Sequence, residues 1–302
     1  MARYVGIDVG GSSVKIGVFD EKGNLLERRK VPTDTSKQGA NILPDTAGAL
    51  TDLDDLLGVG IGVPGPVVGE EVFGAVNLGW GRFNVKETFL GELGREVPIA
   101  IENDAGMAAY GEYRQFGGVK GPFVFITVGT GIGGGIVLDG ELYRGFHGAA
   151  GEFGHMNILP DGPKCACGNR GCLEAVAGAN AMKRRLKRKL RKQRSSPLRQ
   201  GPITIKRMFD AARAGDPGAL ETIDETATAL GRALSMVAGT LDPAVFVFGG
   251  GVSEAGEFFL SRIRQAYEAV AFTQTADVAF EPAKLGNDAG IYGAMEAVRH
   301  AG

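Results

Sequence analysis

The start of the chain alternates apolar and polar positions in three short runs, Tyr4–Asp8, Val14–Phe19 and Leu25–Val31. This predicts three strands joined by tight turns at Gly10-Gly11-Ser12 and Asp20–Asn24. Apolar residues then recur at helical spacing over roughly 39–56. An unbroken apolar run at Val59–Val63 predicts a buried strand, which Pro64-Gly65-Pro66 ends. A helix is expected over about 84–94, a strand at Val97–Ile101, and a further helix opening after Glu102-Asn103-Asp104 and running to about Phe116. The second half predicts helices near 204–214 and 217–239 and a buried strand Ala244–Phe248 that runs into Gly249-Gly250-Gly251. A helix from about Glu254 and a last one over about Asp288–Val298 complete the pattern.

The opening pattern returns. FVFITVGTGIGGGIVLDGELY at 123–143 repeats the order of YVGIDVGGSSVKIGVFDEKGNLL at 4–26: strand, glycine-rich turn, strand, Asp-containing turn, strand. Two lobes with the same core are therefore expected in this α/β chain. Neither glycine cluster precedes a helix, which excludes a dinucleotide fold and a P-loop. Two readings remain for Gly10-Gly11-Ser12 and for the turn around Thr130 and Gly131: plain hairpins, or turns whose backbone N–H groups face phosphate oxygens. Gly249 and Gly250, at the end of a parallel-type strand, form a third place where a ligand could approach the backbone closely.

Composition narrows the class. The 302 residues are 44% hydrophobic and 23% charged, ordinary for a globular chain long enough for two cores. A net charge of −2 provides no global field to attract nucleic acid or an acidic membrane. No apolar run approaches the length of a transmembrane helix, and the first residues lead into a strand rather than a signal peptide. A cytoplasmic location is expected.

Three positions carry candidate chemistry. His155 and the segment Cys165-Ala166-Cys167-Gly168-Asn169-Arg170-Gly171-Cys172 offer one imidazole and three thiolates, the ligand set of a closed, structural zinc site. Glu152 and Glu174 flank it and could present carboxylates to a polyol. Asp8, at the end of the first strand, either caps its turn or holds magnesium, directly or through water. Asp104, where a strand meets a helix, is either an N-cap or a general base taking a proton from a hydroxyl.

Taken in order, the motifs DVGGSSVKIG at 8–17, VPGPV at 63–67, ENDAGMAAYGE at 102–112, VGTGIGGGIV at 128–137, GEFGHM at 151–156, CACGNRGCLE at 165–174 and FGGGVS at 248–253 resemble the ROK family (repressors, open reading frames, sugar kinases). Within it they resemble the zinc-containing glucokinases. The resemblance implies a two-lobed actin-like (ribonuclease H-like) ATPase fold with ATP between the lobes and a zinc loop. The expected division is 1–115, 116–287, and a C-terminal helix 288–302 packing back on the first lobe. It implies ATP-dependent phosphorylation of a hexose, glucose above all, at its 6-hydroxyl, with magnesium as cofactor. An N-acetylhexosamine kinase or a non-catalytic sugar sensor are the alternatives. Asp104 then looks like the catalytic base. Asn103, Glu152, His155 and Glu174 look like sugar ligands, with Gly65 and Asn77 as further candidates. His155, Cys165, Cys167 and Cys172 look like zinc ligands, and Gly10, Gly11, Ser12, Thr130 and Gly131 look like phosphate contacts. Ser12 stands where threonine is usual and keeps the hydroxyl. A homo-oligomer, dimer or tetramer, through the second lobe is also implied.

One segment is left over. From Lys183 to Arg194 nine of twelve residues are Lys or Arg, leaving 24 basic residues against 35 acidic ones elsewhere. Met182, Leu186 and Leu190 place an apolar stripe along it, which predicts a solvated surface helix leaning on the second core. With no aromatic residue in 182–200 to stack on a base, nucleic-acid binding is not expected.

Overall fold

The computed structural model describes residues 2–251 and 255–300; Val252 and Ser253 of the FGGGVS motif and the helix start expected at Glu254 lie outside them. The chain forms two compact units. The first takes the chain up to Val119, Gly135–Gly151 and the residues from Lys284 onward; the second takes Lys120–Gly134 and Glu152–Ala283. Residues 116–119, 135–151 and 284–287, which the expected division gave to the second lobe, group here with the first unit.

The first unit is built on a five-stranded sheet of β1 (Arg3–Val9), β2 (Ser13–Phe19), β3 (Leu25–Pro32), β4 (Leu56–Val63) and β8 (Ile99–Asn103), in the order β3-β2-β1-β4-β8. β1 runs antiparallel to β2 and parallel to β4, and β4 runs parallel to β8. Gly58–Val63 of β4 is buried without a break, as expected for a central strand covered on both faces. The core around it includes Ile7, Ile16, Ile61 and Phe89. Phe89 belongs to α2 (Val85–Leu93), which Asn84 caps by accepting the N–H of Glu87. α3 (Asp104–Gln115) follows β8 directly.

The last helix, α9 (Ala289–His300), seats on this sheet and on α3 at backbone contact. A β-carbon on Gly6 would lie 1.9 Å from the Ile291 carbonyl oxygen, one on Gly60 1.8 Å from that of Ala294, and one on Gly293 1.7 Å from that of Met107. No side chain fits at any of the three, so α9 approaches the strands more closely than any residue with a β-carbon would allow.

The second sheet has the order β11-β10-β9-β12-β13, with β9 (Phe123–Val128), β10 (Ile132–Leu138), β11 (Glu141–Leu142), β12 (Val245–Gly249) and β13 (Ala279–Pro282). β12 is parallel to both β9 and β13. The first sheet's plan recurs: a central first strand, two hairpin-linked strands on one side and two parallel strands on the other. The internal repeat is therefore a repeat of topology. Within the second unit, α7 (Pro217–Leu241) opens with Asp216 as its cap and proline in its first turn, and α6 (Ile205–Arg213) and α8 (Glu257–Glu268) pack against it. No helix among the described residues is long and apolar enough to cross a membrane.

The sequence reading did not foresee the short helix over Leu173–Ala177 or the strand β13, and it began β8 two residues early, at Val97; two further stretches also differ. The helix expected over 39–56 is only α1 (Ile42–Gly48). It stops at Gly48 ahead of an aspartate-rich segment that favours turns. Leu50 and Leu53 still bury fully, so their spacing is satisfied without a helix. A small sheet of β5 (Val67–Val68), β6 (Glu71–Val72) and β7 (Phe83–Asn84) was not expected, because two-residue strands are too short to show alternation.

Replacing Gly60 by alanine is expected to lower stability by about 2–4 kcal/mol, since its β-carbon meets backbone that cannot swing aside. Urea unfolding checks this; an unchanged midpoint would mean that α9 is not seated as described.

Candidate active site and metal centre

The junction of β8 and α3 carries the aspartate read from sequence as cap or base. The cap is its neighbour. Asn103 Oδ1 accepts the N–H groups of Ala105 (3.0 Å) and Gly106 (3.1 Å), and its Nδ2 donates to the Gly65 carbonyl at 3.1 Å. Gly65 takes φ +95, and a β-carbon there would meet the Gly74 carbonyl at 2.2 Å, so glycine is required. Asn103 thus joins the end of β4 to the start of α3. Asp104 becomes the first helical residue, half-buried, with Oδ1 accepting the Ala105 N–H at 2.8 Å. The positive end of the helix faces this carboxylate.

Behind it lies a pair that the sequence reading did not single out. Glu102 is 5% exposed; its Oε1 accepts the Asn103 N–H at 2.8 Å, and its Oε2 is paired with the Arg144 guanidinium. Arg144 arrives from the segment after β11, forty-two positions along the chain, so nothing local in the sequence marks the partnership.

The first glycine turn is a tight hairpin between β1 and β2. Gly10 donates its N–H to the Ser13 carbonyl, Thr33 Oγ1 donates to the Gly10 carbonyl at 2.6 Å, and Gly11 and Ser12 are exposed at the tip. Asp8 pairs with Lys15 Nζ at 3.1 Å, and Lys15 also donates to the Asn287 carbonyl. Asn77 is exposed beside this turn: a β-carbon on Gly11 would lie 3.5 Å from its Nδ2.

In the second unit, the turn between β9 and β10 is held from below by α4 (Leu173–Ala177) and α5 (Ala179–Leu190). Glu174 Oε2 accepts the Ile132 N–H at 3.1 Å, and the Ala179 N–H reaches the Gly129 carbonyl at 2.9 Å. A β-carbon on Gly131 would come within 2.2 Å of the Glu174 carboxylate. Thr130 is exposed at the tip. Gly249 and Gly250 end β12; Gly250 has φ +83 and lies close against Thr127 and Val128. Beside Gly249 opens an apolar cavity of about 180 Å³, walled by Val128, Phe248, Phe259, Leu260 and Ile263.

His155, Cys165, Cys167 and Cys172 converge, with all four ligand atoms within 4.8 Å of one another. Cys167 Sγ lies 3.6 Å from Cys172 Sγ, and Cys165 Sγ lies 3.8 Å from His155 Nδ1. A tetrahedral ion with bonds of about 2.0–2.3 Å holds its ligand atoms about 3.5–3.8 Å apart, so the set fits a metal ion. Gly168 (φ +96) and Gly171 (φ +70) turn the loop between ligands. The Asn169 backbone N–H favours the Cys167 thiolate, whereas burial and then the neighbouring Cys167 and Cys165 push the Cys172 thiol up to about 12. Three thiols this close ionise together only if a cation compensates them. With Nδ1 turned to the cluster, His155 Nε2 faces Glu152 Oε2 at 3.9 Å. Cys172 is also the N-cap residue of α4, two positions before Glu174. The structure therefore places Glu152 and His155 side by side and turns Glu174 to the glycine turn.

The duplicated α/β core is that of the actin-like ATPase fold, and it carries two glycine turns, a carboxylate at a helix start and a Cys₃His loop. The sequence pattern described as "ROK family" matches residues 4–301, and the chain belongs to that family. It is 38% identical to a glucokinase of Halalkalibacterium halodurans over 96% of this chain and 93% of that one. It is 37% identical to a glucokinase of Streptomyces coelicolor over 99% and 98%. The crystal structure of a ROK family glucokinase from Streptomyces griseus in complex with glucose and AMPPNP superposes with a TM-score of 0.84 at 35% identity, covering 99% of this chain and 100% of that one.

Arg144→Met would leave the buried Glu102 carboxylate without its cation. Because the Arg144 side chain is itself 54% exposed, the expected loss of stability is modest, about 1–2 kcal/mol. Thermal unfolding measures it; a variant as stable as the parent would show the pair to be idle.

Proposed function

We propose that this chain is an ATP-dependent glucokinase. The observation that carries the proposal is the β8–α3 junction, where Asn103 takes the capping role and Asp104 presents its carboxylate at the helix start, in a chain similar along its whole length to glucokinases. In this reading Asp104 accepts the proton of the glucose 6-hydroxyl as that oxygen forms its bond to the γ-phosphorus. The bond from phosphorus to the bridging β,γ-oxygen breaks, and ADP leaves. Asn103, Glu152, His155 and Glu174 are assigned to the sugar hydroxyls, together with the Gly65 backbone and Asn77. Gly10, Gly11 and Ser12, and Thr130 and Gly131, are assigned to the phosphates. The apolar cavity beside Gly249 and Gly250 offers walls suited to a nucleoside base. Magnesium, met through Asp8, would offset the charge of the phosphates. Lys15, already paired with Asp8, adds a second positive charge beside the first turn.

The Cys₃His set is assigned to zinc, because a closed nitrogen–sulfur tetrahedron is its usual structural site. The ion supplies cross-linking rather than chemistry. It holds His155 and the start of α4, and with them Glu152 and Glu174. A cytoplasmic location and a homo-oligomer belong to the same reading.

Asp104→Asn is expected to cut turnover about 100-fold or more while glucose still binds. Measuring ADP release and glucose affinity together decides this; a variant keeping above about a tenth of parental turnover would remove Asp104 from the role of base. Running the same assay with N-acetylglucosamine and N-acetylmannosamine tests the sugar.

One zinc per chain is expected by metal analysis. Cys167→Ser should lose it and raise KM for glucose more than it lowers kcat, since the loop positions ligands rather than reacting. Metal affinity should fall as pH falls, because protons compete for all three thiolates. Stoichiometric zinc in Cys167→Ser with an unchanged KM would defeat this assignment.

A further inference from the structure

The basic run forms α5 and the turns after it, and its cations are not equivalent. The helix has three faces. Met182, Leu186 and Leu190 are buried, so the apolar stripe does lean on the core. A second face is neutralised by α7: Lys189 Nζ lies 2.6 Å from Glu221 and 2.9 Å from Glu225, and Arg185 pairs with Glu225 at 3.0 Å. Arg185 is also tied to the Val176 carbonyl and to Thr226 Oγ1. These two side chains are structural.

The third face is different. Lys183, Arg184, Lys187, Arg191 and Arg199 line a groove of about 600 Å³, together with Leu190 and Leu198. No acidic residue lines this groove, and none of the five cations is within ion-pair distance of a carboxylate among the described residues. Arg184 and Arg199 are nevertheless held in place, donating to the carbonyls of Ala175 (3.1 Å) and Leu190 (2.5 Å). Carbonyl partners orient a guanidinium without cancelling its charge. Five like charges around one concavity repel one another, a cost that an anion of matching size would relieve. Guanidinium forks and ammonium groups together suit phosphate oxygens. The groove is compact, and no aromatic residue lies in 182–200, which disfavours a nucleic-acid strand.

We propose that the groove between α5 and residues 198–203 binds a small oligophosphate, a molecule carrying two or more phosphoryl groups, at a site separate from the residues assigned to phosphoryl transfer. The experiment is titration calorimetry of the full chain with inorganic tripolyphosphate, and in a parallel arm with a hexose bisphosphate, which separates an inorganic chain from an organic source. The variant is Lys187→Gln with Arg191→Gln; Lys189 is kept because it bridges Glu221 and Glu225. Binding of one or both probes should weaken about tenfold or more in the variant and fall with added salt, while kcat and KM for glucose and ATP stay within about twofold. Equal binding of both probes by the variant and the parent would place them elsewhere, tripolyphosphate at the glycine turns, and overturn the proposal. So would no binding of either probe at about 0.15 M salt, tighter binding of duplex DNA than of tripolyphosphate, or a self-association that the variant abolishes. The binding readout does not depend on turnover, so it stands apart from the glucokinase assignment.

Discussion

The first unit depends on a backbone contact in which β-carbons are missing. At Gly6, Gly60 and Gly293 the last helix comes so close to β1, β4 and α3 that a single methyl group would collide with a carbonyl oxygen. Packing of this density rewards a unique arrangement and resists a sliding one. It has a functional side. Gly290, near the start of α9, lies against the Asp8 carboxylate, and Gly293 lies against the body of α3, whose first residue is Asp104. One helix therefore sets the position of both carboxylates that the proposed chemistry uses in this unit.

In the second unit, a side chain helps hold the turn after β9. Cys172 starts α4, Glu174 follows it by two residues, and the Glu174 carboxylate accepts a backbone N–H from the turn after β9. A metal ion that holds Cys172 thereby also influences that turn. His155 links the same cluster to Glu152 through its other ring nitrogen. In the proposed reading an ion bound there would act by position, at both ends of the Glu152–Glu174 segment.

The basic helix shows how charge that looks uniform in sequence is divided by packing. Arg185 and Lys189 differ from Lys187 and Arg191 only in which way the helix turns them. Burial lowers the pKa of Arg185 even with Glu225 beside it, while the bonds of Lys189 to Glu221 and Glu225 outweigh its burial and raise its pKa.

Much of the molecule is legible in the sequence because its signals are local. Alternation marks the strands of both hairpins, the Val59–Val63 run marks a strand buried on both faces, and the Met182–Leu186–Leu190 stripe marks the buried side of α5. The spacing of three cysteines and a histidine already implies convergence, since glycines lie between them. Other features depend on partners far along the chain. Whether Asn103 or Asp104 caps α3 was settled by the Gly65 carbonyl, which holds the Asn103 amide in capping geometry. Glu102 found its cation forty-two residues away in Arg144. The helix expected over 39–56 shortened because turns could bury Leu50 and Leu53 equally well. The sequence by itself determined the duplicated α/β core, the glycine turns and the metal-ligand set, since each is written in residue type and spacing over a few positions. Only the tertiary structure decided which carboxylate caps, which glycines admit another backbone and which cations remain unpaired, because those depend on contacts between segments that no local pattern records.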